Sequence, residues 1–263
     1  VTYSGEHVHY LCGGKDTCSK VGHSEENAVE FTAWTDTLAE EQCGTGSTAA
    51  DSLPKEKGSY YLTENVTVGW WQPADGTVLC LNGKTITTAS AIKVEGHNGY
   101  AKNLTDNIPT SYERACATNF TLCDCKGGGK ITYDATTTKT NDRCVEVNSG
   151  TFNMYGGSIT NGHVPGSTGI DAYGGGVLVY SKCEEYTAID ENLRATERKP
   201  IPGTFNMYGG SITGGTGIFG GGVGIYVKTD NNYYDAVSFN MYGGEISGNM
   251  VGGIVEQGGG VYM

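Results

Sequence analysis

The chain has 263 residues, of which 42 are glycine and 6 are proline; without a Gly-X-Y period this composition excludes a collagen-like triple helix. Seventeen Tyr, six Phe and three Trp supply apolar area that a disordered coil lacks, while charged residues at 17% leave little material for salt-bridged helices. Seventeen basic against 29 acidic residues give a net charge of −12, which excludes the basic groove that nucleic acid requires, and no apolar run approaches the roughly 18 residues of a membrane-crossing helix.

Residues 1–58 read as a small Cys/His-rich cap. His7, His9, Cys12, Cys18 and His23 lie close together and include three of the five histidines. Zinc takes four imidazole or thiolate ligands in a tetrahedron, and spacings this short let one loop wrap the ion. These five residues are therefore candidate ligands of one structural zinc ion. A Cys12–Cys18 disulfide with exposed histidines is the other reading. No glutamate is spaced as in the His-Glu-x-x-His motif of catalytic zinc sites. Nine cysteines are an odd number, so at least one is free, metal-bound or shared with another chain.

From residue 59 to 263 the sequence reads as short strands and turns. Residues 79–86 and 122–131 follow one scheme: apolar alternation, glycine, then isoleucine. Cys80 and Cys123 occupy equivalent places in it, after a leucine. Neighbouring strands would bring them into disulfide range, so they form either a bridge between successive strands or a buried thiol ladder. Long insertions interrupt the scheme at 97–118 and 181–202, and Cys116 and Cys183 lie within them.

The repeat is plainest downstream. Residues 151–160 read TFNMYGGSIT, return unchanged at 204–213, and return as SFNMYGGEIS at 238–247. Each copy is followed by a triple-glycine element, at 174–179, 220–227 and 258–263. Period-two alternation puts Phe and Met on one face and Asn and Tyr on the other, and the glycine pairs turn the chain at no steric cost. Variable insertions on a constant scheme favour coiling in one direction over regular hairpins. The expected fold is all-β, a parallel β-solenoid of about five rungs, with an up-and-down barrel or sandwich as the alternative. Asn153, Asn206 and Asn240 would then form an outward amide ladder beside Tyr155, Tyr208 and Tyr242, a candidate binding surface. The final triple-glycine element stops short of its earlier copies, which predicts that the natural chain continues.

The repeat run, together with HVHYLCGG at 7–14, Trp34, GSYYLTENV at 58–66, Trp71, VLCLNG at 78–83 and LCDC at 122–125, resembles the right-handed parallel β-helix repeats of large bacterial surface proteins, particularly those of anaerobic gut Firmicutes. The resemblance implies a right-handed parallel β-helix, an N-terminal metal knuckle capping it, and an extracellular, adhesin-like module on the bacterial cell surface. It implies a partner that is a host or environmental glycan or a host protein, immunoglobulin included, or else a stalk for another domain. No nucleic acid and no membrane insertion are expected, and no catalytic residue is assigned. The alternative is a polysaccharide-degrading enzyme, a lyase or glycosidase, on the same scaffold. Glycosidase chemistry needs two carboxyl groups about 5–9.5 Å apart, whereas the equivalent outward positions here hold Asn and Tyr, and Asp171, Glu184, Glu185, Asp190 and Glu191 cluster in loops.

Overall fold

A computed structural model describes residues 8–9, 29–97, 99–100, 117–134, 142–164, 169–189, 195–227, 237–252 and 257–263. The protein is all-β apart from one two-turn helix and a short 3-10 turn among these residues. Three parallel sheets dominate. The first takes, in spatial order, Thr32–Trp34, Ser59–Leu62, Thr77–Cys80, Asn119–Cys123, Thr151–Met154, Gly203–Met207 and Val237–Met241. The second takes Val66–Val68, Thr85–Thr88, Lys130–Tyr133, Ser158–Thr160, Ser211–Thr213 and Glu245–Ser247. The third takes Ile92–Glu95, Val145–Asn148, Val177–Tyr180, Val223–Tyr226 and Val261–Tyr262. Spatial order equals chain order in all three, and from Thr77–Cys80 onward each of five successive passages of the chain adds one strand to each sheet in turn.

Register follows from the repeat. Phe152 pairs with Phe205 and Phe205 with Phe239, and the flanking Thr or Ser, Asn and Met residues match one for one. Alternation then sends Phe120, Phe152, Phe205, Leu122, Met154 and Met207 to one face, where all are buried. They meet Ile86, Ile131, Ile159 and Ile212 from the second sheet and Val94, Val147, Val179 and Val223 from the third in a single core. Burying each such side chain stabilises the fold by roughly 1.5–3 kcal/mol. The inward phenylalanines stack, with ring centroids 5.5 Å apart for Phe120–Phe152 and 5.1 Å for Phe152–Phe205 and Phe205–Phe239.

The corners between the first and second sheets need glycine. Gly157, Gly210 and Gly244, the second of each pair, have φ of 81°, 86° and 91°, in the left-handed region that L side chains avoid. A Cβ on Gly210 would lie 2.4 Å from the carbonyl oxygen of Gly157 in the preceding passage. Polar side chains tie other corners together: Asp124 accepts from the Gly83 N–H through Oδ1 and from the Gly129 N–H through Oδ2, both at 2.7 Å.

The stack begins earlier than the repeat signature does. Thr32–Trp34 is the edge strand of the first sheet, inside the stretch read as the cap, and the first of the five copies in the sequence pattern falls on the third strand of that sheet, Thr77–Cys80. The early strands keep the alternation but lack the Gly-Gly motif that made the later ones visible. The helix Asp36–Cys43 follows at once, capped by Thr35 Oγ1 accepting from the Leu38 N–H and ended at Gly44, φ 107°. Its Ala39 is buried, and Leu38 and Cys43 pack against the core. Trp34 and Trp71 anchor the following segment by donating from Nε1 to the carbonyls of Ser52 (2.9 Å) and Pro54 (2.8 Å).

The two long insertions meet. Glu184–Ile189 and Ala195–Pro200 form an antiparallel hairpin, and Glu184–Ile189 also pairs, in parallel, with Gly99–Tyr100 from the first insertion. Among the described residues no helix is long and apolar enough to cross a membrane.

Candidate functional site

The outward face of the first sheet gathers most of the residues singled out in the sequence, and it does so in two neighbouring columns. Thr121, Asn153, Asn206 and Asn240 are register partners in succession. Asn206 donates from Nδ2 to Asn153 Oδ1, and Asn240 from Nδ2 to Asn206 Oδ1, each at 2.9 Å. Asn206, the middle amide, thus donates to one neighbour and accepts from the other. Two residues along each strand, the second column runs from Tyr61 to Cys80 and Cys123, which are register partners. One residue beyond the Leu122–Met154 pair it continues into Tyr155, which packs against the two thiols and Phe31.

The tyrosines then stack face to face. Tyr155–Tyr208 ring centroids are 4.5 Å apart and Tyr208–Tyr242 4.9 Å, with planes within 10° of parallel. Spacing this close leaves no room for a ligand between rings. Only Tyr242, 67% exposed, presents much free aromatic surface. The sequence treated the thiols and the phenols as separate features; parallel register makes them one column, which a single strand pattern does not reveal.

Cys80 and Cys123 are fully buried, and neither they nor Cys43, Cys125, Cys144 and Cys183 form a disulfide. A hydrogen bond with Cys123, then burial, pushes the Cys80 thiol up to about 12, although Cys125 opposes the shift. A thiol held neutral in this way is a poor nucleophile at physiological pH. The N-terminal zinc candidates His7, Cys12, Cys18 and His23 lie outside the described residues. Of His9 only the backbone is described, in Val8–His9, antiparallel to Val29–Glu30. Among the described residues no group of three or more His, Cys, Asp or Glu side chains is placed to hold a metal ion.

A polar cluster flanks the third sheet. Arg143, 4% exposed, lies 3.5 Å from Glu146 Oε2 and 3.8 Å from Asp171 Oδ1. Tyr180 donates its hydroxyl to Glu146 Oε1 at 2.5 Å. Burial, then the Glu146 charge, raises the Tyr180 phenol well above its ordinary range, so it remains a donor. Asp171, one of the loop acids noted in the sequence, is thereby tied to a buried cation.

A cleft elsewhere has a different origin. About 1,040 Å³ in volume, it is bordered by the end of the helix, the 47–55 loop, the 68–75 turn, and residues 95–97 and 118. Trp70 stands in it, 64% exposed. Val66 and Val68 face inward, so unbroken alternation would bury Trp70; the strand ends at Val68, and it is Trp71 that is buried instead.

No protein-family model, curated protein or solved structure matches the chain.

Proposed function

We propose that the chain is an extracellular, adhesin-like binding module of a bacterial cell surface, built as a right-handed parallel β-helix and carrying no chemistry of its own. Support for the β-helix comes from three parallel sheets that each gain one strand, in chain order, in each of the last five passages of the chain. Support for binding rests on one observation: the rigid, in-register row of amides and phenols formed by Asn153, Asn206, Asn240, Tyr155, Tyr208 and Tyr242. A row held by its own hydrogen bonds and ring stacking is preorganised, so a ligand orders little on docking. The ligand class is a host or environmental glycan or a host protein, immunoglobulin included.

The test is a glycan and host-protein array probed with the purified chain and with its Tyr242→Ser variant, an exposed position whose replacement leaves the core intact. The expected outcome is binding to at least one ligand that weakens roughly tenfold in the variant, as for a central aromatic contact. An array empty for the intact chain overturns the binding reading in favour of a stalk. Release of new reducing ends from an arrayed polysaccharide overturns it in favour of an enzyme.

A further inference from the structure

We propose that the cleft around Trp70 is a second binding site, distinct from the Asn/Tyr row, and that it takes a neutral glycan. Trp71 turns inward, 5% exposed, with its ring edge-on to Phe120 at 5.3 Å and its indole N–H on Pro54. Trp70 is thereby turned out, leaving an indole face in the cleft. The core gains nothing from that exposed face, and an isolated indole in water is unfavourable. A pyranose ring of gluco or galacto configuration presents an apolar face of axial C–H bonds that covers such an indole.

The polar lining supplies the complement. Asp51 Oδ1 accepts from the Thr48 N–H at 2.8 Å. Asp75 Oδ1 accepts from the Asn119 N–H at 2.8 Å and from Asn119 Nδ2 at 3.0 Å. Glu95 Oε1 accepts from Asn148 Nδ2 at 2.8 Å. All three residues border the cleft. One oxygen of each is fixed by the fold, and the other has no hydrogen-bond partner among the described residues. These are oriented acceptors for hydroxyl donors, and a charged acceptor makes the stronger kind of hydrogen bond.

Charge and size narrow the class. Three carboxylates stand against Lys55 and His97 in the lining, on a chain of net charge −12, so uronic, sialylated or sulfated sugars are repelled. A quaternary ammonium is best held by a cage of several Trp, Tyr or Phe rings, and among the described residues Trp70 is the one exposed ring of that kind bordering this cleft. The volume lies at the top of the roughly 300–1,000 Å³ range of small-ligand clefts, which suits a short oligosaccharide better than a single sugar.

Trp34 and Trp71 are buried, so acrylamide quenching of tryptophan fluorescence reports Trp70 selectively. The full chain is titrated with cellohexaose, xylohexaose, chitohexaose and a neutral galactan hexamer, with a hexagalacturonate and hexalysine as charged probes. At least one neutral oligosaccharide is expected to shield Trp70 saturably. By calorimetry, Trp70→Ala abolishes its binding with the circular dichroism spectrum unchanged, and Glu95→Gln weakens it roughly tenfold, the loss of one charge-assisted hydrogen bond. The proposal is overturned if no neutral oligosaccharide shields Trp70, if hexalysine or hexagalacturonate is the probe that does, or if Trp70→Ala binds as tightly as the parent chain. Array binding that is lost in Tyr242→Ser, with no neutral oligosaccharide shielding Trp70, would remove this site while leaving the module reading in place.

Discussion

Replacing Phe152 by alanine tests the stacked core directly. Its ring is fully buried between Phe120 at 5.5 Å and Phe205 at 5.1 Å. Truncating a buried phenylalanine costs about 3–5 kcal/mol, and each aromatic pair contributes about 0.5–1.5 kcal/mol beyond area burial. Loss of two stacks puts Phe152→Ala at the upper end, about 4–5 kcal/mol. Phe239 has the same sequence context but is only partly buried and stacks on Phe205 alone, so Phe239→Ala should cost about half as much, roughly 2–3 kcal/mol. The difference of about 2 kcal/mol is a factor of roughly 30 in the unfolding constant. The assay is equilibrium urea unfolding followed in parallel by circular dichroism and tryptophan fluorescence, because stacked repeats are able to unfold in parts. Equal costs at the two positions, or a cost below about 1 kcal/mol for Phe152→Ala, would refute the enclosure of Phe152 between two rings.

Two further predictions concern glycine and cysteine. Gly210→Ala, at φ 86° with a Cβ 2.4 Å from a carbonyl oxygen, should destabilise clearly more than Gly127→Ala, at φ 76° with open space around it; the latter costs only the left-handed backbone penalty of about 1–2 kcal/mol, and equal urea midpoints would refute the close approach. Cys80 and Cys144 are raised from 9.0 to about 12, Cys80 first by its hydrogen bond with Cys123 and Cys144 first by burial. In the unfolded chain these thiols ionise near 9, so between pH 9 and about 12 the folded state holds more protons. Their contribution is complete below pH 9 and is lost as pH rises through that window. Cys144→Val should therefore flatten the alkaline fall of the urea midpoint; an unchanged slope would refute it. Alkylation should leave Cys80, Cys123 and Cys144 unlabelled until urea is added, after which labelling without reductant counts which of them were thiols.

The repeat itself made much of the fold legible. Identical TFNMYGGSIT segments cannot place Phe and Met outward without exposing the whole apolar set, because the strand period is two. The inward and outward faces, the glycine corners and the parallel stacking of the later strands follow from that constraint. Thr32–Trp34 and Ser59–Leu62 were harder to see as members of the same sheet, since alternation over three or four residues is too short to separate a strand from a turn. The Asn and Tyr rows were legible because equivalent residues must stack once the register is known.

What the sequence alone determined is the direction each repeat residue faces, since pleat geometry and glycine conformation act locally. Contacts between distant segments were decided only in three dimensions. Tertiary structure put Cys80 and Cys123 in one column with Tyr155, joined the two insertions through Gly99–Tyr100 and Glu184–Ile189, and closed ring faces that looked available for binding. It also turned Trp70 out into a cleft lined by five separate stretches of chain. Such a site depends on which passages of the backbone lie side by side, and spacing along the chain does not encode that.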